Sequence, residues 1–262
     1  SRDHLDYHGT MASYGRAKAR LFAHEGLAHA IVNVDDAYAG ELLAMIDKGT
    51  RVITYCTCGV HSAVIVISDA KYHCAGVTAQ INSPWGSAEI SSPLAGEFNL
   101  ANLAAAISVV ALMTEDFSSV LASLKNLNAV PGRMQVIPND RDIQVIVDYA
   151  HTPDALEHVL RALTPHVAGR MITVFGCGGD RDSGKRSVMG RVVCELSDLC
   201  IVTSDNPRSE KPQSIMRDVE QGCTGDFVLV VNRAEAIAMA LREAKAGDCV
   251  LVAGKGHEDY QE

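Results

Sequence analysis

The second half of the chain alternates short apolar runs with segments of helical periodicity, and this alternation constrains the fold more than any other feature. The apolar runs, each predicted to form a buried strand, are residues 144–147, 171–175, 199–202, 227–231 and 249–252. The helical patterns between them are residues 153–164, 187–196, 212–222 and 233–245. Strands and helices that alternate at this spacing predict an α/β fold with a doubly wound, mostly parallel, Rossmann-like sheet.

Polar loops follow four of these predicted strands. They are residues 148–154, 176–186, 204–208 and 254–258. The carboxyl ends of parallel strands lie at one edge of a sheet, and open α/β sheets bind their ligands at that edge. Surface loops are often polar, but four charged loops at this edge favour a ligand site over simple solvation.

The loop Asp205-Asn206-Pro207-Arg208 has the chemistry to bind an amino acid. Asp205 would hold an ammonium group, and Arg208 would bind a carboxylate through two parallel hydrogen bonds. Pro207 would stiffen the spacing between them. The same four residues are typical of an Asx-Pro turn with a solvated arginine, and the tetrapeptide alone favours that simpler interpretation.

The loop at residues 179–186 nearly matches the phosphate-binding loop of nucleotide-hydrolysing proteins. Its G-x-x-x-x-G-K pattern is intact, but Arg186 occupies the position of the Mg²⁺-binding Ser or Thr. Asp180 and Asp182 would also repel a triphosphate. We therefore expect a flexible loop in which Arg181 and Lys185 approach anionic groups.

The first half of the chain is predicted to form part of another α/β domain. Its patterns are a helix at 11–25, a strand at 30–34, a helix at 37–46, a strand at 51–55, an antiparallel ribbon within 63–90, and helices at 96–113 and 117–124. The break at 130–134 predicts a boundary between domains of residues 1–132 and 133–262. Asn99 and Asn102, near the start of an apolar helix, would cap that helix or bind the edge of a base.

Composition limits the partners and the compartment. A net charge of −9 argues against a nucleic-acid or anionic-membrane partner, and no apolar run approaches the roughly 20 residues of a membrane span. Cys194, Cys200 and Cys249 lie in apolar patterns, and no secretory signal is visible, which predicts reduced, buried thiols in a cytoplasmic protein. Cys56 and Cys58 are a close pair without a second pair at zinc spacing, so we expect them to be strand or turn residues.

The sequence begins and ends within clusters of residues that are typical of a functional site. This predicts a fragment of a longer protein.

Seven segments carry a resemblance to a known family. They are residues 1–9 with Lys18, 96–102, 132–134, 148–154, 175–186, 205–208 and 254–260. As a set, which extends over the whole chain, they resemble the Mur ligases, the ATP-dependent amide-bond-forming enzymes of peptidoglycan synthesis. The family's N-terminal uridine-nucleotide domain and its G-T-N-G-K-T phosphate loop have no counterpart in these residues. The resemblance therefore implies the second part of an ATPase-type central domain, followed by most of the C-terminal amino-acid-binding domain.

The resemblance implies a reaction and its participants. With ATP and Mg²⁺, a ligase of this family would phosphorylate the D-glutamate γ-carboxylate of UDP-MurNAc-L-Ala-D-Glu, and the amino group of meso-diaminopimelate would attack the acyl phosphate. The segment 205–208 matches the family's diaminopimelate motif. A lysine-adding sister ligase and a non-catalytic amino-acid-binding fragment stay open as alternatives. The resemblance also implies a bacterial, cytoplasmic monomer that serves cell-wall biogenesis, cell shape and cell division, without nucleic acid or membrane insertion.

The resemblance further implies roles for individual residues. Mg²⁺ would be held by His4 and by Lys18 as a carbamate, and the catalytic set would be Lys18, His151 and Lys185. ATP would be bound by Asn99, Asn102, Arg133 and Asp148. Diaminopimelate would be bound by Arg181, Asp205, Asn206, Pro207, Arg208, Gly254 and Glu258. Because the family's phosphate loop is not among them, we expect that these 262 residues alone do not turn over ATP.

Overall fold

The computed structural model describes residues 5–59, 62–73, 76–114 and 116–261, without the side chains of Asp6 and His73. It forms two compact units: one is Thr10–Asn128, and the other joins the residues up to Gly9 with the chain from Ala129 onward. The division therefore falls between Asn128 and Ala129, whereas the sequence places the domain boundary between residues 132 and 133. The grouping of the first residues with the second unit was not expected from the sequence.

The strands and helices follow one another along both units. The strands are β1 (His29–Asn33), β2 (Arg51–Cys56), β3 (Ile65–His73), β4 (Gly76–Ser83), β5 (Gly86–Ser92), β6 (Gln135–Val136), β7 (Gln144–Asp148), β8 (Met171–Phe175), β9 (Leu199–Thr203), β10 (Phe227–Val230) and β11 (Cys249–Ala253). The α-helices are α1 (Leu5–His8), α2 (Met11–Ala19), α3 (Ala39–Met45), α4 (Glu97–Thr114), α5 (Phe117–Ser123), α6 (Pro153–Leu163), α7 (Arg186–Leu196), α8 (Pro212–Glu220) and α9 (Arg233–Glu243).

The Thr10–Asn128 unit is built on a five-stranded sheet in the order β1-β2-β3-β4-β5. Strands β1, β2 and β3 are parallel, while β3, β4 and β5 form the antiparallel ribbon expected for this stretch. Helix α4 packs on the sheet, with Leu100, Leu103 and Ile107 buried against a core that includes Ile65 and Ile67. The apolar pattern of α4 is thus explained by a core that it shares with the sheet.

Helix α4 is also long and apolar enough to cross a membrane, judged by length and composition alone. A third of it is buried inside the protein. The core helix of a water-soluble protein passes the same test, so this finding is weak evidence for a membrane span.

The second unit contains a six-stranded sheet in the order β10-β9-β8-β11-β7-β6, in which β6 alone is antiparallel to its neighbour. Helix α9 packs against β8, β9 and β11 through Ala236 and Ala240. Helices α6, α7 and α8 pack side by side, and α7 and α8 contact β9. Every residue of β8 and β11 is buried, and successive strand side chains point to opposite faces, so both faces of the sheet are covered. The predicted doubly wound, mostly parallel sheet is confirmed.

The strand order places a crevice at the carboxyl edge of this sheet. From β8 the chain moves outward through β9 to β10, and it then returns to insert β11 between β8 and β7. Because β7, β8, β9 and β11 are parallel, the loops that follow them all leave the sheet at this edge. Ligands of doubly wound folds bind in such a crevice.

Two glycine turns meet at one end of this crevice. Gly132 has a φ of +70°, and a Cβ there would lie 2.1 Å from the backbone nitrogen of His257. Gly256 has a φ of +51°, and a Cβ there would lie 2.7 Å from the carbonyl oxygen of Gly132. Only residues without a Cβ allow the turn before β6 and the turn after β11 to touch through their backbones.

Substitution of Gly132 should test this contact. We expect Gly132→Ala to lower the free energy of unfolding by about 2–5 kcal/mol, the sum of a left-handed backbone cost of about 1–2 kcal/mol and an overpacking cost of about 1–3 kcal/mol. Gly225→Ala is the matched control, because Gly225 has a φ of +77° with no atom within 4 Å of a Cβ. Its free energy of unfolding should fall only by the left-handed backbone cost of about 1–2 kcal/mol. Urea denaturation followed by circular dichroism would measure both, and equal losses would contradict the contact.

Candidate functional site

A cavity of about 260 Å³ opens at the carboxyl edge of the second sheet. Its lining residues come from the loops after β7, β8, β9 and β11 and from α1: Tyr7, Tyr149, His151, Gly176, Cys177, Gly178, Arg181, Asp182, Lys185, Asp205, Asn206, Arg208, Gly254 and Glu258. Three of these carry positive charge and three carry carboxylates. A small cavity lined by both signs of charge suits a zwitterionic ligand better than a purely anionic one.

The loop after β9 is locked to the loop after β8. A Cβ at Gly179 would lie 1.9 Å from the carbonyl oxygen of Pro207, and the Gly179 amide donates to the carbonyl of Asn206 at 2.9 Å. Arg208 has a φ of +51°, and its Nη1 donates to the carbonyl of Gly179 at 2.7 Å. The guanidinium of Arg208 is therefore held by the neighbouring loop on the cavity wall, which differs from the solvated arginine of a simple turn.

The near match to a phosphate-binding loop has a structural explanation. Arg186 is 2% exposed, and its guanidinium pairs with both carboxylate oxygens of Glu210 at 2.6 and 2.9 Å and with Asp218 at 2.9 Å. These hydrogen bonds lower the pKa of Glu210 to about 2. The backbone amide of Asp180 donates to Glu210 at 2.7 Å. Amides at Gly179 and Asp180 thus bind protein acceptors, and the loop does not form a phosphate cradle of that type.

Glu258 stands at the centre of a hydrogen-bond network on the opposite wall. Its Oε1 accepts from the Tyr149 hydroxyl at 3.1 Å, and its Oε2 accepts from Lys255 Nζ and Asn206 Nδ2, each at 3.3 Å. Lys255 is 8% exposed and also donates to Asn206 Oδ1 at 2.9 Å. Burial opposes ionisation of Glu258, but the hydrogen bonds from Lys255, Tyr149 and Asn206 and the charge of Lys255 hold its pKa below the ordinary value. The cavity therefore keeps an ionised carboxylate on this wall.

A buried arginine beneath the cavity was missed by the sequence analysis. Arg233 begins α9, is 9% exposed, and donates from Nη2 to the carbonyl of Ala253 at 2.8 Å, while its buried Nη1 has no hydrogen-bond partner. A Cβ at Gly254 would lie 3.0 Å from Asp205 Oδ2 and 4.0 Å from Arg233 Nη2. Burial lowers the pKa of Arg233, and the carboxylates of Asp205 and Glu258 oppose that shift. Its position at the start of a helix carried no motif that could have identified it.

Asp148 and its neighbours shape the end of the cavity next to β7. Both carboxylate oxygens of Asp148 accept backbone amides, from Met134 at 2.8 Å and from Ala150 at 2.7 Å, and burial raises its pKa. The Arg133 guanidinium lies 4.2 Å from the centroid of the Tyr149 ring, and His151 meets the same ring edge-on at 4.8 Å. Asp148 thus fixes the turn that presents Arg133, Tyr149 and His151.

The remaining predicted residues belong to the Thr10–Asn128 unit or lie outside the described residues. Lys18 on α2 is exposed, with Nζ 4.8 Å from the centroid of the Tyr14 ring. Asn99 lies in the first turn of α4, and its Nδ2 donates to the carbonyl of Ala95 at 2.7 Å, so it does not cap the helix through its side-chain oxygen. Asn102 is exposed and donates to Asn99 Oδ1 at 3.5 Å. His4 lies outside the described residues.

Comparison with known proteins identifies the family. The Mur ligase middle domain matches residues 1–110, and the glutamate ligase domain of Mur ligases matches residues 132–256. A Coxiella burnetii relative, named UDP-N-acetylmuramoyl-L-alanyl-D-glutamate--2,6-diaminopimelate ligase, is 45% identical over 266 residues that cover 100% of this chain and 54% of the relative. The chain spans about half the length of the curated relatives it matches.

Solved structures agree with this result. A structure of a ligase with the same name is 42% identical, with a TM-score of 0.64, over 100% of this chain and 54% of its own. The MurF ligase of Thermotoga maritima, solved in complex with ADP, is 20% identical with a TM-score of 0.74, over 95% of this chain and 55% of its own, and it supports the fold alone. Because the two domain matches together account for most of the chain and agree with full-chain identities above 40%, the chain belongs to the Mur ligase family.

Proposed function

We propose that the protein containing this chain is an ATP-dependent ligase that joins meso-diaminopimelate to the D-glutamate of UDP-MurNAc-L-Ala-D-Glu in peptidoglycan precursor synthesis. The observation that carries the proposal is the mixed-charge cavity, which places Asp205, Arg208 and Glu258 around one small volume at the carboxyl edge. The names of the relatives support the same substrates.

Different walls of the cavity would bind the ammonium and carboxylate groups of diaminopimelate. Asp205 and Glu258 would hold an ammonium group of the amino acid, and the hydrogen bonds from Lys255, Tyr149 and Asn206 keep Glu258 in its ionised form. Arg208 and Arg181 would bind carboxylates on the wall formed by the loops after β8 and β9. Asn206, Pro207 and Gly254 would set the spacing, because the Asn206 side chain binds both Lys255 and Glu258, and Gly254 leaves room beside Asp205.

Two further residues of the cavity would act on the reacting groups. Lys185 is buried at the end of the glycine-rich loop and would stabilise negative charge on the acyl phosphate. His151 hydrogen-bonds through Nδ1 with the carbonyl of Tyr149 at 2.7 Å, which orients its ring, and it would accept a proton from the attacking amine. Holding the amine beside the acyl group would supply much of the remaining acceleration.

Four residues would bind ATP: Asn99, Asn102, Arg133 and Asp148. Arg133, stacked on Tyr149, offers a cation next to an aromatic face, and Asn102 exposes an amide that suits a base edge. Asp148 would support Arg133 by fixing the turn at Met134. Asn99 would orient Asn102 through their hydrogen bond. Lys18 is exposed and so is open to carbamylation, which would add the oxygen ligands that Mg²⁺ prefers; with His4 it would hold the ion. When bound, Mg²⁺ neutralises charge on the transferring phosphoryl group.

The cellular context follows from the same assignment. We place the protein in the bacterial cytoplasm as a monomer that serves cell-wall biogenesis, cell shape and division. The net charge of −9 supports a role without nucleic-acid or membrane partners. A non-catalytic amino-acid-binding fragment is the second candidate, since the mixed-charge cavity of the second unit suits an amino acid by itself.

A phosphate-release assay tests the proposed reaction. The full-length protein that contains this chain should release phosphate when ATP, UDP-MurNAc-L-Ala-D-Glu and meso-diaminopimelate are all present, and omission of any one should reduce release to background. The 262-residue chain alone should stay at background. Equal rates with lysine in place of diaminopimelate would contradict the assigned substrate, and turnover by the chain alone would contradict the assignment of ATP hydrolysis to the longer protein.

Arg208 provides a test of substrate recognition. Diaminopimelate has one more carboxylate than lysine, so Arg208→Ala in the full-length protein should lower kcat/KM for diaminopimelate by roughly 10- to 150-fold, about 1.5–3 kcal/mol, and should reduce the preference over lysine. Arg217→Ala is the matched control, because Arg217 is exposed on α8 and does not line the cavity. An Arg208→Ala enzyme that keeps its full preference over lysine would show that another residue reads the carboxylate.

A further inference from the structure

Three cysteine thiols meet in the second unit, outside the residues that line the cavity. The sulfur atoms of Cys194, Cys200 and Cys223 all lie within 4.8 Å of one another. None of them forms a disulfide. Sequence separations of 6 and 23 residues match no zinc-finger spacing, so the sequence pattern did not reveal this group.

The three thiols come from three different elements. Cys194 lies in the last turn of α7, Cys200 is the second residue of β9, and Cys223 follows the end of α8. Cys200 is fixed within the sheet, since its amide donates to the carbonyl of Asp226 at 3.1 Å. The sulfur atoms are therefore held by regular structure, which limits how far they can separate.

A glycine allows the third thiol to approach. A Cβ at Gly190 on α7 would lie 2.3 Å from the carbonyl of Val219 and 3.1 Å from the sulfur of Cys223. Helices α7 and α8 are thus in backbone contact where the thiols converge. The Cys223 thiol donates to the carbonyl of Val219 at 3.5 Å, which holds its sulfur at this contact.

The spacing is close to that of a metal–thiolate site. Zinc–sulfur bonds of about 2.3 Å in a tetrahedral arrangement place two sulfur atoms about 3.8 Å apart. A separation of at most 4.8 Å requires a closure of about 1 Å or less. Cys200 is fully buried, whereas Cys194 and Cys223 are partly exposed, so an ion has a route to the group. Among the described residues, no fourth Cys, His, Asp or Glu joins it.

We propose that Cys194, Cys200 and Cys223 form a three-thiolate site for a soft, thiophilic metal ion. Thiolate ligands select Cu(I) and Zn(II) among the common ions. Cu(I) would be held by the three sulfur atoms alone, and Zn(II) would take a water molecule as its fourth ligand. Binding replaces three thiol protons, which pass to solvent, with bonds to the metal, and no electron transfer is involved. The site is independent of the proposed ligase function.

Metal retention under reducing, oxygen-free conditions tests the site. The 262-residue chain is incubated with Zn(II) or, separately, with Cu(I), desalted, and assayed for metal per protein and for affinity by competition with a chromophoric chelator. We expect one equivalent of at least one ion, with the affinity lowered tenfold or more in Cys194→Ser and in Cys223→Ser. Cys58→Ser is the control, because Cys58 is exposed and lies outside the group; it should bind as the unmodified chain does.

Thiol protection gives a second measurement that needs no variant. In the metal-loaded chain, alkylation followed by mass spectrometry should find the two partly exposed thiols, Cys194 and Cys223, protected relative to the metal-free chain, with Cys58 modified equally in both. Retention of Zn(II) alone would indicate the four-coordinate form, and retention of Cu(I) alone the three-coordinate form. Retention of neither ion, affinity unchanged by both cluster substitutions, or no added protection of these thiols would overturn the proposal.

Discussion

Backbone contacts between loops at the carboxyl edge are the constraint on which the rest of the second unit depends. A Cβ at Gly176 would lie 2.4 Å from the carbonyl of Thr203, one at Gly179 would lie 1.9 Å from that of Pro207, and one at Gly132 would lie 2.1 Å from the amide of His257. Side chains at these three positions would push the loops apart. Because the loops touch through backbone atoms, the charged side chains that they carry, including Asp205 and Arg208, are held around one small cavity.

Burial of cations is the second physical feature of this edge. Lys185, Arg186, Arg233 and Lys255 are all at least nine-tenths buried, which is costly for a charge unless carboxylates or carbonyls compensate for the lost water. Arg186 is compensated by Glu210 and Asp218, and it serves the architecture of the loops. Lys255 lies 3.3 Å from Glu258 and favours the ionised form of that carboxylate, and the carboxylates of Asp205 and Glu258 favour the charged form of Arg233. Burial of these cations costs stability, but Lys255 also keeps the Glu258 carboxylate ionised in a cavity that suits a zwitterionic ligand.

Local patterns predicted much of this structure. Apolar runs located β7 to β11 within a residue or two, since β8 and β11 are fully buried and β7 and β9 are largely buried, while β10 at the edge of the sheet is continuously apolar although only partly buried. The polar loops after them identified Arg181, Asp205, Arg208 and Glu258, which line one cavity. Contacts between distant residues could not be predicted, because periodicity carries no information on which loops meet. Lys255 binds Asn206 across 49 residues, Arg233 binds the carbonyl of Ala253 from the start of a helix, and the three thiols converge from three elements.

The central claim is that the cavity at the carboxyl edge binds diaminopimelate through charges of both signs. Isothermal titration calorimetry of the 262-residue chain with meso-diaminopimelate, with lysine as the comparison ligand, tests it most directly. We predict that diaminopimelate binds at least tenfold more tightly than lysine, and that Asp205→Asn weakens its binding by a similar factor. Equal affinities for the two amino acids, no binding of diaminopimelate, or binding that is unchanged by Asp205→Asn would contradict the account.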